Sequence, residues 1–256
     1  MKRAHLARLG WGWLGARVRI GTSGWVYPHW RGTFYPRDLP ASRWLAFYAE
    51  RFDTVELNNS FYRQPTREQF VRWRKLVPSG FAYSVKLNRF ITHIKRLNVD
   101  APTVARSYDT VAGLGPALAA ILVQLPPRFA FDRERLEHFC SAVARRRRRH
   151  AIEPRDASWL EDASVASLRA RNIALCISDT PMWPTRLAET ADFVYLRFHG
   201  PGRLYSSAYD DEGLRHWAGR IRGWRDEGRD VLAYFNNDVG GYAPRDAARL
   251  RDLVGE

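Results

Sequence analysis

The feature that most constrains this chain is a change in the period of its hydrophobic pattern, repeated eight times along 256 residues. Short runs with strand character fall at 18–21, 54–57, 81–86, 120–124, 150–153, 173–177, 193–197 and 230–235. Segments with helical spacing follow at 42–51, 67–76, 103–112, 133–147 and 163–171, near Thr185, and at 212–227 and 244–254. A strand followed by a helix, eight times over, is the pattern of βαβ units on a parallel sheet. Eight such units predict closure into a single (β/α)8 TIM barrel, an α/β fold of ordinary size for this length. The other parallel arrangement, an open doubly wound sheet, lacks support because no strand-to-helix junction carries G-x-G-x-x-G or a P-loop.

Composition agrees with one large core. Hydrophobic residues make up 45% and charged residues 27%, a globular mixture with no low-complexity linker to divide it. The barrel domain is expected over residues 17–256. Residues 1–16 read as a loose, disordered N-terminal extension, since they lack the sustained apolar stretch of a signal peptide. No window approaches the roughly 18 apolar residues of a membrane span, so no membrane partner is expected. Cys140 and Cys176 both lie in apolar stretches and read as buried thiols, which fits a reducing cytoplasm. The formal net charge is +14, from 41 Lys and Arg against 27 Asp and Glu. Such an excess attracts anions over a long range but does not name one.

In a barrel the reacting groups project from the C-terminal ends of the strands. The first strand here runs into Thr22 and Ser23, and the second ends in Glu56 and Asn58. The third ends in Lys86, the fourth in Gln124, and the fifth gives Glu153 and Arg155. Asp179 follows the sixth, Arg197 and His199 end the seventh, and Asn236 and Asn237 end the eighth. Any one of these alone reads as a strand residue reaching solvent; together they describe a site that assembles when the ring closes.

Glu56 and Glu153 are candidates for acid–base work, since neighbouring carboxylates in a desolvated pocket push each other's pKa values apart. Lys86 joins them as a candidate catalytic group, and His199 as a proton shuttle near neutrality. Arg155 and Arg197, with Lys86, are suited to holding a carboxylate or phosphate. The competing structural reading pairs these opposite charges with one another. Asn58, Gln124, Asn236 and Asn237 are candidate hydrogen-bonding groups, and His93, just past the third strand, is a further one. No cofactor is expected. A divalent metal on Glu56, Glu153, Asp179 and His199 is the less favoured alternative, because no HExxH or CxxC spacing supports it and three nearby cations compete.

The segment 25–36 is too long for a simple βα turn and is rich in aromatics. Tyr27 and Trp30 in it, with Tyr62 and Tyr205 elsewhere on the rim, are expected to wall a ligand. The run of five arginines at 145–149 falls at a helix end before the fifth strand, on the face opposite the site, and reads as a solvated charge cluster.

The chain resembles the domain of unknown function 72 family, the YecE-like proteins. The resemblance rests on Gly21-Thr-Ser-Gly24-Trp25 with Tyr27 and Trp30, Phe34-Tyr35-Pro36, and Val55-Glu56-Leu57-Asn58 leading to Phe61-Tyr62. It continues through Lys86, Ile91-Thr92-His93, Gln124-Leu125-Pro126-Pro127, Glu153 with Arg155 and Ser158-Trp159, Arg197-Phe198-His199-Gly200 and Phe235-Asn236-Asn237. It implies a TIM barrel related in architecture to sugar isomerases and apurinic endonucleases, with no settled activity. Three functions therefore stay open. One is an isomerase or hydrolase acting on an anionic, sugar-like small molecule. The second is a nucleic-acid-binding or processing barrel, and the third a non-catalytic ligand sensor. The sequence carries no signal for oligomeric state.

Overall fold

A computed structural model describes residues 15–255. The expected extension falls almost wholly on residues 1–14, outside the described part. The strands are β1 (Val18–Ser23), β2 (Thr54–Leu57), β3 (Ala82–Lys86), β4 (Leu118–Gln124), β5 (His150–Glu153), β6 (Ala174–Leu175), β7 (Ile177–Asp179), β8 (Phe193–Phe198) and β9 (Asp230–Phe235). All are parallel, in the order β6-β5-β4-β3-β2-β1-β9-β8-β7.

The two ends of that order are one stave. β6 pairs with β5 and β7 pairs with β8, and only Cys176 separates them. The Cys176 amide donates to the Ile152 carbonyl at 2.8 Å, so the backbone is continuous and the ring closes with eight staves. Beside β6, the Thr190 hydroxyl accepts from the Leu175 amide and donates to the Ile173 carbonyl, doing the work of a missing strand partner.

The helices are α1 (Trp44–Ala49), α2 (Asn59–Tyr62), α3 (Arg67–Lys75), α4 (Ala101–Val111), α5 (Arg133–Val143), α6 (Asp162–Arg169), α7 (Asp211–Asp226) and α8 (Tyr242–Gly255). Several begin where a side chain satisfies a free amide of the first turn. Thr66 and Gln69 form a reciprocal capping box on α3, and Asp100, Asp132 and Asp210 cap α4, α5 and α7. α5 stops short of the expected Arg147, which turns left-handed at φ 46°. No helix forms near Thr185. Pro181 and Pro184 interrupt the segment, and the Thr185 hydroxyl is drawn back to accept from the Ser178 amide, so 180–192 remain irregular. Among the described residues, no helix is long and apolar enough to cross a membrane.

Side-chain alternation sorts the core into layers. Outward-facing residues such as Val55, Leu57, Val85, Val123, Ile152 and Leu196 pack under the helices. The inward set fills the barrel, with Ala120, Ala151 and Ala174 making room for Phe193, Tyr195, Leu232 and Tyr234. Midway up, the Tyr234 hydroxyl meets the hydroxyls of Thr54 at 2.9 Å and Ser84 at 2.8 Å. The interior thus changes from apolar to hydrogen-bonded as it rises toward the C-terminal mouth.

Candidate active site in the barrel mouth

The period-two alternation that puts Thr54 inside also puts Glu56 inside, one layer higher. Likewise Ser84 leads to Lys86, Tyr195 to Arg197 and His199, and Cys176 to Ser178. These side chains meet where the strands end. Arg197, 2% exposed, sits between two carboxylates that are both fully buried. Its Nε and Nη2 donate to Glu56, the latter at 2.8 Å, and its Nη1 donates to Glu153 at 2.7 Å.

Each carboxylate is then filled by further donors. Glu56 accepts from the Ser23 hydroxyl and the Tyr195 phenol, both at 2.7 Å. Glu153 accepts from Ser178 at 2.8 Å and His199 Nε2 at 3.0 Å, and pairs with Arg155 Nη2 at 3.2 Å. Burial alone pushes the Glu153 carboxyl up, but the guanidiniums of Arg155 and Arg197 and the His199 N–H outweigh it and hold it well below its usual range. Arg197 shows the converse: burial disfavours its charge, yet Glu153 and Glu56 fix it as a cation.

His199 is wholly buried, and burial pushes its pKa down to about 4. The imidazole is neutral at physiological pH. Asn236 Nδ2 lies 3.2 Å from Nδ1 and has only hydrogens to offer, so Nδ1 accepts and Nε2 carries the proton toward Glu153. The structure therefore brings Glu56, Glu153, Arg197, His199, Arg155 and Asn236 together, in a network whose carboxylates face one another's cations.

Lys86 stands apart from that network. Its ammonium lies 4.1 Å from the centre of the Phe61 ring, and among the described residues it makes no hydrogen bond or ion pair. Burial, reinforced by the nearby Arg197 charge, lowers its pKa to about 8. Two carboxylates and two guanidiniums cancel, so the protonated amine is the surplus charge of the mouth.

Arg155 is the other cation with spare capacity. Its guanidinium stacks 3.3 Å from the ring centre of Trp183, and its Nη1 is buried without a partner. Trp183, in the irregular 180–192 segment, also leans edge-on against His199 with ring centres 5.0 Å apart, and its own Nε1 is buried and unpartnered. Asn58 Oδ1 and Asn237 Oδ1 complete the set of such orphaned atoms among the described residues. All four belong to segments at the C-terminal ends of the strands.

The remaining candidates take varied places. Gln124 is buried and donates to the Leu125 carbonyl, and Asn237 ties the Ser207 carbonyl to Asp246 of α8. Tyr62 is 76% exposed beside Phe61, and Tyr205 is half-exposed with its ring 5.6 Å from His199. His93 packs on Phe61 as Lys86 does, its Nδ1 paired with the Thr92 hydroxyl; burial and the Lys86 charge lower its pKa to about 4.

Trp30 belongs to the core, and Tyr27 is half-buried beside it. The Tyr27 phenol donates to the Ser23 carbonyl, and Trp30 is fully buried with its N–H on the Asp238 carbonyl. Asp179 points outward to the Trp217 N–H of α7, because it follows inward-facing Ser178 by one residue. Among the described residues, no three His, Cys, Asp or Glu side chains gather as a metal site. The arginine run lies at the other end of the barrel, where Arg146 pairs with Asp109 and Arg149 with Asp230.

Tyr195, Ser178 and Trp183 are not among the sequence candidates, and Phe61 enters there only through the family resemblance. For the first two the signal was available, since each lies two residues from an inward-facing neighbour. Trp183 follows no such rule, because its loop has no period.

Comparison with known proteins places the chain in context. The model of the family described as "Protein of unknown function DUF72" matches residues 19–256. The protein YunF of Bacillus subtilis is 25% identical over 276 aligned positions, covering 93% of this chain and 94% of that one. A crystal structure of a DUF72 family protein from Thermotoga maritima superposes with a TM-score of 0.81 at 26% identity, covering 94% of this chain and all of the other. A D-psicose 3-epimerase solved in the presence of D-fructose shares the barrel with a TM-score of 0.52 over 86% of this chain and 95% of its own; at 11% identity the likeness is one of fold.

Proposed function

The chain belongs to the DUF72 family, and on that premise, with the geometry of its barrel mouth, we propose that it is an isomerase-type enzyme for a small, anionic, sugar-like substrate. The observation that carries this reading is the set of orphaned polar atoms at the strand ends. A buried donor or acceptor without a partner costs about 1–3 kcal/mol, so several at one end of the barrel mark where a ligand or ordered water completes the network. Arg155 Nη1 and Trp183 Nε1 supply donors for an anionic group, and Asn58 Oδ1 supplies an acceptor for a hydroxyl. The surplus charge on Lys86 favours a negative occupant.

In this reading Arg155 binds the anion and Lys86 acts at the carbonyl end of the substrate. The Glu56–Arg197–Glu153 network, with His199, orients both. The two glutamates thus act as positioning groups, their oxygens being already engaged.

The test is a thermal-shift panel of sugar phosphates and aldonates, followed by proton NMR of the stabilising compounds in D2O. A ligand at a hundred times its Kd stabilises by about 2.7 kcal/mol. Wild type should respond, Arg155→Ala should not, and the enzyme should exchange the hydrogen on the carbon next to the carbonyl. Equal responses from the two proteins would remove the basis for the reading; stabilisation without exchange would leave a ligand sensor in its place.

A further inference from the structure

We propose that Lys86 is a nucleophile that condenses with the carbonyl carbon of a small aldehyde or ketone bearing an anionic group, forming an imine in the barrel mouth. The inference rests on the reading of the mouth as a site for small anionic substrates, and it names the chemistry.

The first support is geometric. The amine lies against an aromatic face, with no carboxylate or carbonyl engaging its nitrogen. The two carboxylates nearby are occupied by Arg197, Arg155, His199 and hydroxyl donors. Among the described residues, nothing competes with an incoming carbon atom for the nitrogen lone pair.

The second support is the residue type. The chain holds 41 cationic residues, and its lysines are only Lys2, Lys75, Lys86 and Lys95. The other cations that reach the buried carboxylates of the mouth, Arg155 and Arg197, are both arginines. A guanidinium at position 86 would hold an anion at least as well, through two parallel hydrogen bonds. It would not lose its proton, and it would not add to a carbonyl. A lysine placed at this position supplies the one property that arginine lacks.

The surroundings agree with that role. Burial and the Arg197 charge lower the Lys86 pKa to about 8, so at neutral pH the free amine exceeds that of an unperturbed lysine by about a hundredfold or more. Arg155 Nη1 and Trp183 Nε1 offer unused donors for the substrate's anion. The reaction balances without another reagent. The C–N bond forms as the carbonyl π bond breaks, and the carbinolamine then loses its oxygen as water together with two of the three ammonium protons. The product is an iminium carrying the single positive charge that the ammonium carried before, so the charge balance of the mouth is unchanged. The iminium draws electrons from the neighbouring carbon and acidifies its hydrogen, so that solvent water can take that proton and return it, which is the exchange an isomerase needs.

The experiment is reductive trapping. The protein is incubated with dihydroxyacetone phosphate or with pyruvate, treated with sodium borohydride, and mapped by peptide mass spectrometry, with ligand-induced thermal stabilisation recorded in parallel. The expected result is one reduced adduct, on Lys86, exceeding those on Lys75 and Lys95 by at least about tenfold, absent from Lys86→Arg, and forming about tenfold faster per pH unit up to about pH 8. The wild-type map reads the site directly, so the result does not depend on how well the variant folds. Stabilisation by a probe with no adduct, or with adducts spread evenly over the lysines, overturns the imine while leaving the anion site standing. Neither stabilisation nor adduct with both probes overturns the imine and counts against the anion site as well.

Discussion

Arg197 grips Glu56 through both Nε and Nη2, so that a fork of two donors on β8 closes on one carboxylate of β2 across the width of the barrel. The third nitrogen reaches Glu153 on β5. One side chain therefore ties three staves of the ring together at the level where the site begins. Replacing Arg197 with Met strands two buried carboxylates and should destabilise the protein by about 3–5 kcal/mol in urea denaturation. Arg197→Lys keeps the charge but offers a single nitrogen, and should recover only part of the loss.

His150 and His199 make stability fall in mild acid. Burial holds the pKa of each at about 4 in the folded chain, below the ordinary 6.5 of an unfolded histidine. Between those values the unfolded state binds more protons, so stability is complete above pH 6.5 and declines as the pH falls toward 4. His150, whose Nε2 pairs with the Tyr108 hydroxyl at 2.7 Å, contributes about 2 kcal/mol of the loss between pH 7 and pH 5. His150→Gln should reduce the difference in unfolding free energy between those two pH values by about that amount. An unchanged difference would show that the imidazole does not titrate in this way.

Gly21 and Gly223 should respond in opposite senses to alanine. A Cβ on Gly21 would stand 2.3 Å from the Thr54 carbonyl oxygen and 3.0 Å from the Tyr48 hydroxyl, which links β1 to β2. Gly21→Ala should cost about 3 kcal/mol. Nothing lies within 4 Å of the same atom on Gly223, inside α7, and there the substitution should stabilise by about 0.5–1 kcal/mol. Melting temperatures of the two variants against wild type check both signs.

Trp183 should matter for ligand affinity more than for folding. Its ring covers Arg155, but it stands on an irregular segment and is only half-buried. Trp183→Ala should lower the unfolding free energy by only about 0.5–1 kcal/mol, the cation–π contact with Arg155 being made in the free protein. Affinity for an anion that the thermal-shift panel identifies should fall by about tenfold, the loss of one donor, Nε1, to a charged group. Calorimetric titration of both proteins gives the comparison.

The parts of this structure legible in the sequence are those that obey a period. Alternation located the strands, and the polar residue at each strand end located Glu56, Lys86, Glu153, Arg155, Arg197, His199 and Asn236 in one place. The same alternation, carried one step further, would have turned Asp179 outward and Tyr195 inward. The long segment after β1 was legible as aromatic and unusual, but not as buried: whether Trp30 faces a ligand or the core depends on which side of the ring the chain crosses, a matter of tertiary contact. The Thr185 helix failed because side-chain hydroxyls competed for the backbone. What sequence could not convey is how the charges share partners. Arg155 and Arg197 are alike on the page, yet one is spent on two carboxylates and the other keeps a free nitrogen.

The irregular stretch between β7 and β8 differs in kind from the rest of the ring. Elsewhere a helix sits over each stave, and altering it disturbs the layer beneath. Here side chains hold the segment in place of a helix: Thr185 and Thr190 on backbone groups, Arg186 on the Leu160 carbonyl and Asp162, and Arg169, Trp224 and Arg229 on Glu189 and Ala191. Between Thr180 and Thr185 no helix packs on the barrel, and that short span carries the indole over Arg155. The cover over the mouth's unspent guanidinium is therefore set by a span that stands outside the repeat from which the ring is built.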